Sequence, residues 1–164
     1  MKTSFKVGLS FGMTSAILTT VGLMVGLYSS TRSELAVLGG ILTVAAADSL
    51  SDALAIHISE ESEKRHSERH VWEAMLTTLL TKALFALSFA VPVLFLTLDE
   101  AIVAGVAWGL LLITAFSYYL ARYEKARPWK VIGEHLLIAV FIIIATYFIG
   151  EWIAMNLGGV SLLL

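Results

Sequence analysis

Two carboxylates, Asp48 and Asp52, stand four residues apart inside an otherwise apolar stretch. At that spacing they share one face of a helix. An ionisable group held in hydrocarbon costs on the order of 3 kcal/mol or more, so it faces a wet path, pairs with a partner or binds a cation. Thr43, Ser49 and Ser51 surround the pair with hydroxyls. A second set follows along the chain: Glu60, Glu63, His66, His70 and Glu73, with Glu61 adding a further carboxylate. Two imidazoles four apart, flanked by carboxylates, offer the nitrogen and oxygen ligands that first-row divalent metals accept. In an unbroken helix Asp52, Ala55, Ser59, Glu63 and His66 lie within about 60° of Asp48. The pattern predicts a metal-gathering mouth at Glu60, Glu63, His66, His70 and Glu73, leading to Asp48 and Asp52 as deeper ligands. Each part has a plain alternative. A charged helix end of mixed sign is ordinarily a solvated surface, and Asp48 can form a structural pair with Lys82. Lys82 can also run its stem to the surface.

These residues need elements to hold them. Of the 164 residues, 58% are hydrophobic and 15% charged. Soluble domains are about half apolar and about a quarter charged. Five apolar segments stand out: Gly8–Tyr28, Leu35–His57, Ala74–Leu98, Ala101–Ala121 and Val131–Ala154. Each approaches or exceeds the ~20 residues that cross ~30 Å of hydrocarbon as a helix. They lack the alternation of barrel strands, and unpaired strands do not cross lipid. The expected fold is an all-α integral membrane protein, a single five-helix domain over residues 1–164 with a polar helical hairpin at about 58–73. The first segment follows Lys2 and Lys6 like a signal peptide, but its length and the four later spans mark it as a retained helix. Asp99 is placed to cap the fourth span, and Arg127-Pro128 ends the helix before the fifth.

Basic residues give an orientation. Lys2, Lys6, Lys64, Arg65, Arg69, Arg122, Lys125, Arg127 and Lys130 fall on one side of the five spans, and Arg32 alone falls on the other. Basic loops stay cytosolic, which predicts the N-terminus in and the C-terminus out. Trp72, Trp129 and Trp152 sit near span ends, where tryptophans favour the interface. Glu134 and His135 start the fifth span on the cytosolic side, as partners of the mouth or as interfacial groups, and Glu151 lies toward the opposite end. In the first span Gly8, Gly12, Ser15, Thr19, Gly22 and Gly26 fall within roughly 80° of one another. Such small-residue faces let helices approach in lipid. This one is expected to pack along its whole length, against a second protomer or the bundle centre. The net charge of −2 gives no reason to expect a nucleic-acid partner. Cysteine is absent, so disulfides and thiolate sites are excluded. No nucleotide loop, HExxH helix or nucleophile elbow appears, and no enzyme is expected.

Three stretches resemble the vacuolar iron transporter family and its nodulin-like relatives. Phe11-Gly12-Met13-Thr14-Ser15-Ala16 is similar to the family's F-G-x-x-D-G in the first helix. Thr43-Val44-Ala45-Ala46-Ala47-Asp48-Ser49-Leu50-Ser51 is similar to S-M-A-A-G-E-Y-L-S in the second. Ala145-Thr146-Tyr147-Phe148-Ile149-Gly150 is similar to A-x-T-Y-x-I-G in the fifth. The resemblance implies five spans, a homodimer with its ion path between first helices, and export of a divalent metal coupled to inward protons. It departs where Ser15 replaces an aspartate, Ala16 a glycine, Val44 a methionine and Asp48 a glutamate, and where a short hairpin replaces a glutamate-rich domain. The resulting expectation is a homodimeric, multi-pass exporter of iron or manganese with no bound cofactor. Its path would hold Met13, Ser15, Asp48 and Asp52, and Gly8, Gly12, Thr19, Gly22 and Gly26 would pack the dimer. The membrane would be the cell membrane in a prokaryote and an organelle membrane otherwise. Two other readings stand beside it: a non-transporting scaffold that keeps the fold, and a carrier of a different solute.

Overall fold

The computed structural model describes residues 3–63 and 66–157, so Lys2, Lys64 and Arg65 of the charge pattern lie outside the described residues. Within them five helices are long and apolar enough to cross a membrane: α1 Thr3–Thr31, α2 Glu34–Ser62, α3 Glu68–Phe95, α4 Leu98–Tyr123 and α5 Pro128–Leu157. No strand occurs among the described residues. The helices overrun the apolar segments because hydrogen-bonded turns continue into polar sequence. Thr and Ser hydroxyls inside them bond back to carbonyls one turn earlier, as Thr78 does to Ala74 at 2.9 Å and Thr114 to Leu110 at 2.6 Å. That satisfies these two hydroxyls within their own helices.

The turns follow local chemistry. Arg32, in the left-handed region at φ 51°, closes α1 and donates its amide to the Tyr28 carbonyl at 3.0 Å. Ser33 then caps α2, its hydroxyl accepting the Ala36 amide at 3.2 Å. Ser67 caps α3 through the His70 amide. One helix therefore ends at Ser62 and the next begins at Glu68 within the polar stretch. The cap of α4 differs from the expectation. Thr97, not Asp99, is the cap, and its amide and hydroxyl both donate to Glu100 at 3.2 and 2.7 Å. Asp99 instead accepts the Tyr28 hydroxyl at 2.6 Å. The Thr-x-x-Glu spacing is a capping box. Pro128 opens α5 at its first position, where its missing amide costs nothing.

Two helices are irregular. In α2 the residues Val44–Asp48 form one π turn, and the Ser49 hydroxyl donates to the Val44 carbonyl at 3.0 Å. A π turn holds an extra residue and turns every later side chain relative to a regular helix. In α3 the run breaks at Phe89, three residues before Pro92. Proline lacks the amide that would bond the Ser88 carbonyl and its ring crowds that group. The Ser88 hydroxyl meanwhile accepts the Trp108 indole N–H at 3.1 Å, tying the break to α4.

Polar contacts fix the helix directions. At one end Lys6 pairs with Glu124 at 2.8 Å and the Ser4 hydroxyl donates to Glu73 at 3.1 Å. At the other, Tyr28 reaches Asp99, and Arg32 stands 3.5 Å from Glu151. Successive helices therefore run antiparallel. Arg69 and Arg122 share the first, basic end with Lys6, while Arg32 stands at the opposite end. Trp72, Trp129 and Trp152 are all exposed near helix ends.

The α1 helix is the hub, and its Ile17, Val21, Met24 and Val25 pack with Phe89, Val93, Ile102 and Ile113 in the main apolar core. Its small-residue face divides in two. A Cβ on Gly8 would lie 2.6 Å from the Ala74 carbonyl, and one on Gly12 would lie 2.8 Å from the Thr78 carbonyl. This half is filled by α3 of the same chain and has no room for a second protomer. Gly22 and Gly26 face α5 at Ile142 and Thr146 and border an open apolar groove of about 500 Å³, with Thr19 exposed beside it. Gly150 is buried in contact with Ser29 and the Gly26 backbone. It lets α5 close on α1 at the groove's wall.

Candidate functional site

The irregular stretch of α2 carries Asp48 at its end and Asp52 one turn later, both turned toward α1 and α3. Lys82 of α3 meets them. Its Nζ lies 2.6 Å from Asp48 Oδ2 and also bonds Asp52 Oδ2. Asp52 Oδ2 accepts the Ser15 hydroxyl of α1 at 2.6 Å as well. Three helices thus contribute to one charged centre. The Lys82 side chain is 1% exposed, so it does not run to the surface. The structural pair of Asp48 with Lys82 therefore exists, and Asp52 joins it. The core around it is not sealed, because the Asp48 and Asp52 side chains are 37% and 22% exposed. Two carboxylates against one ammonium leave one negative charge uncompensated in the formal sum.

The hydrogen-bond geometry is unequal. Asp48 Oδ2 is itself buried and close to the ammonium, yet no donor is aligned with it among the described residues. Asp52 takes two aligned donors. Met13 does not join the centre and packs against the apolar core. Thr43 bonds back to the Gly39 carbonyl at 2.8 Å, and Ser51 is exposed.

Eight residues beyond Asp52, about 12 Å along the helix, Glu60 is buried where α2 meets the start of α3. Its Oε2 lies 2.9 Å from His66 Nδ1 and 2.9 Å from His70 Nε2. The two imidazoles stack, with centroids 4.1 Å apart and planes 24° from parallel. One ligand atom from each of these three residues falls within 4.8 Å of the others. His66 Nδ1 is buried and off the line of a hydrogen bond to that oxygen. A carboxylate oxygen and two imidazole nitrogens converging in this way are a donor set suited to a first-row divalent ion.

The other predicted mouth residues divide. Glu63 stands beside His66, 3.8 Å from Nε2. Glu73 accepts from Arg69 at 2.8 Å and from the Ser4 hydroxyl at 3.1 Å. Glu61 lies 4.0 Å from His57, whose ring meets Trp72 edge-on at 4.9 Å. Glu134 pairs with Lys130 at 3.8 Å. His135 Nδ1 lies 2.7 Å from the Ser117 hydroxyl, which gives its own proton to the Ile113 carbonyl at 2.5 Å. Both residues are engaged outside the metal-type cluster.

Sequence reasoning offered Lys82 only as a partner of Asp48 and missed its bond to Asp52. The i,i+4 spacing of the aspartates was the available signal, since one ammonium between two helices can reach both. Ser15, expected in the path as the replacement of an aspartate, donates its hydroxyl to Asp52. No protein-family model matches this chain, and no curated protein sequence matches it.

Proposed function

We propose that this multi-pass membrane protein carries a divalent metal ion, iron or manganese, out of the cytosol. The observation that carries the reading is the convergence of Glu60, His66 and His70 within 4.8 Å of one another, at the end of the helix that also bears Asp48 and Asp52. The cluster gathers the ion at the basic end, and the aspartates accept it about 12 Å further in. Imidazole and carboxylate ligands suit both ions. The excess of basic residues at the mouth end makes that end cytosolic, and the resemblance to vacuolar iron transporters points to proton antiport through a homodimer. Of the small face, the half at Thr19, Gly22 and Gly26 is open to a second copy.

The test is ion flux into proteoliposomes. Iron or manganese should move in the reconstituted wild type and stop in Asp48→Asn. Equal flux in that variant overturns the mechanism.

A second reading, a membrane scaffold that retains the fold without transport, is favoured by one observation: Lys82 already occupies both aspartates. Metal-dependent thermal stabilisation separates the two. A ligand at 100 times its dissociation constant adds ~2.7 kcal/mol, and a scaffold gains nothing from any divalent ion.

A further inference from the structure

We propose that the Lys82 ammonium is a tethered cation that stands in for the transported ion, so that ammonium and divalent metal hold the Asp48–Asp52 pair by turns and never together. The word transported rests on the function proposed above. The competition rests on the three side chains alone.

Charge comes first. With the ammonium in place, the centre has two negative groups and one positive group. A divalent ion added beside Lys82 would make the sum positive and set two cations in contact where the dielectric is low, which is strongly repulsive. The same ion in place of the ammonium neutralises both carboxylates. Position agrees with charge. Lys82 Nζ lies against one oxygen of each aspartate, which is where an ion bridging the pair would sit. Access is lopsided in the useful sense. The ammonium is buried on the bundle side, and the carboxylates are 37% and 22% exposed on the other. An ion arrives on the exposed side while the flexible lysine stem withdraws. Asp48 Oδ2 has no aligned donor to lose in the exchange. Ser15 holds Asp52 through its hydroxyl whichever cation is present.

The exchange answers a problem every carrier of this kind meets. Once the ion leaves, two bare carboxylates at bilayer depth would be costly. A returning ammonium compensates them, and the empty carrier remains stable.

The experiment uses full-length protein with His66→Ala and His70→Ala, which removes the mouth site. Mn2+ binding is counted by paramagnetic resonance. With Lys82 present, Mn2+ should bind the aspartates only weakly, because it must displace the ammonium. Lys82→Met in the same background should bind Mn2+ at least about tenfold more tightly, and Asp48→Asn with Asp52→Asn should remove that binding. Failure of Lys82→Met to gain a site overturns the proposal, as does equal binding with Lys82 intact. If Lys82→Met does not fold, acylation of Lys82 in the otherwise unchanged protein decides. Saturating Mn2+ should raise its labelling by an amine-reactive ester at least about fivefold, because the displaced ammonium leaves its partners. Unchanged labelling overturns the proposal. Absent flux with intact competition would remove transport and leave the exchange standing, and flux without competition would do the reverse.

Discussion

The α2 helix presents carboxylates twice, and the two sites differ in the nitrogen each one meets. At the mouth, Glu60 faces two imidazoles at 2.9 Å each. In the centre, Asp48 and Asp52 face an ammonium. An imidazole has a lone pair to share with a metal, whereas an ammonium has three donors and no acceptor. The first site therefore offers donors that could hold a metal ion, whereas the second already contains a cationic side chain. Carboxylates in apolar sequence alone do not mark a metal site; the chemistry of their nearest nitrogen decides.

The largest expected effect strikes the centre. Lys82→Leu leaves two partly buried carboxylates without their cation and should lower stability by about 3–5 kcal/mol in a denaturant titration. Adding Asp48→Asn and Asp52→Asn should restore most of that loss. A Lys82→Leu protein as stable as the wild type would mean that the pair is exposed and weak. Next in size, Gly12→Leu forces a side chain against the Thr78 carbonyl and Thr81, one turn from Lys82. Overpacking of this kind costs about 1–3 kcal/mol. It should disturb the centre and leave Mn2+ affinity at the mouth unchanged.

The mouth responds differently. His66→Ala or His70→Ala should weaken Mn2+ binding at least about tenfold, equivalent to ~1.4 kcal/mol, with little change in stability without metal. Protons compete with metal for imidazole. Calorimetry should therefore show mouth affinity falling as pH drops from about 7.5 to about 5.5. Affinity constant across that range would remove the histidines from the ligand set. The smallest effect belongs to Arg69→Ala. Its bond to Glu73 is at the surface, with Arg69 81% exposed. Such a pair is worth less than about 1 kcal/mol, and neither site should notice.

Much of this was legible because the bilayer imposes simple rules. The number of spans and their helical nature were read from residue types alone, and the five long apolar helices match them. Local chemistry was legible where it was read correctly. The Thr97-x-x-Glu100 box was present in the sequence, but the nearer acid, Asp99, drew attention because any aspartate before a helix is a credible cap. The small face of α1 was legible as a packing surface but not as two surfaces. Gly8 and Gly12 meet α3, while Gly22 and Gly26 meet α5 and a groove, because α1 is the hub and different neighbours cover it at different heights.

By itself the sequence determined that five segments are long and apolar enough to cross a membrane as helices, which ends of them gather charge, and that two aspartates in apolar sequence need company. Those properties depend on segment length and residue type, which do not change with folding. Only the tertiary structure decided what that company is. Lys82 is 30 residues from Asp52 in the chain, and nothing in the chain states how α3 registers against an α2 that carries an extra residue in its turn. Whether an ammonium reaches one carboxylate, two or the surface depends on that register to within a single turn. The same register places His66 and His70 on the shared oxygen of Glu60 and leaves Glu73 to Arg69.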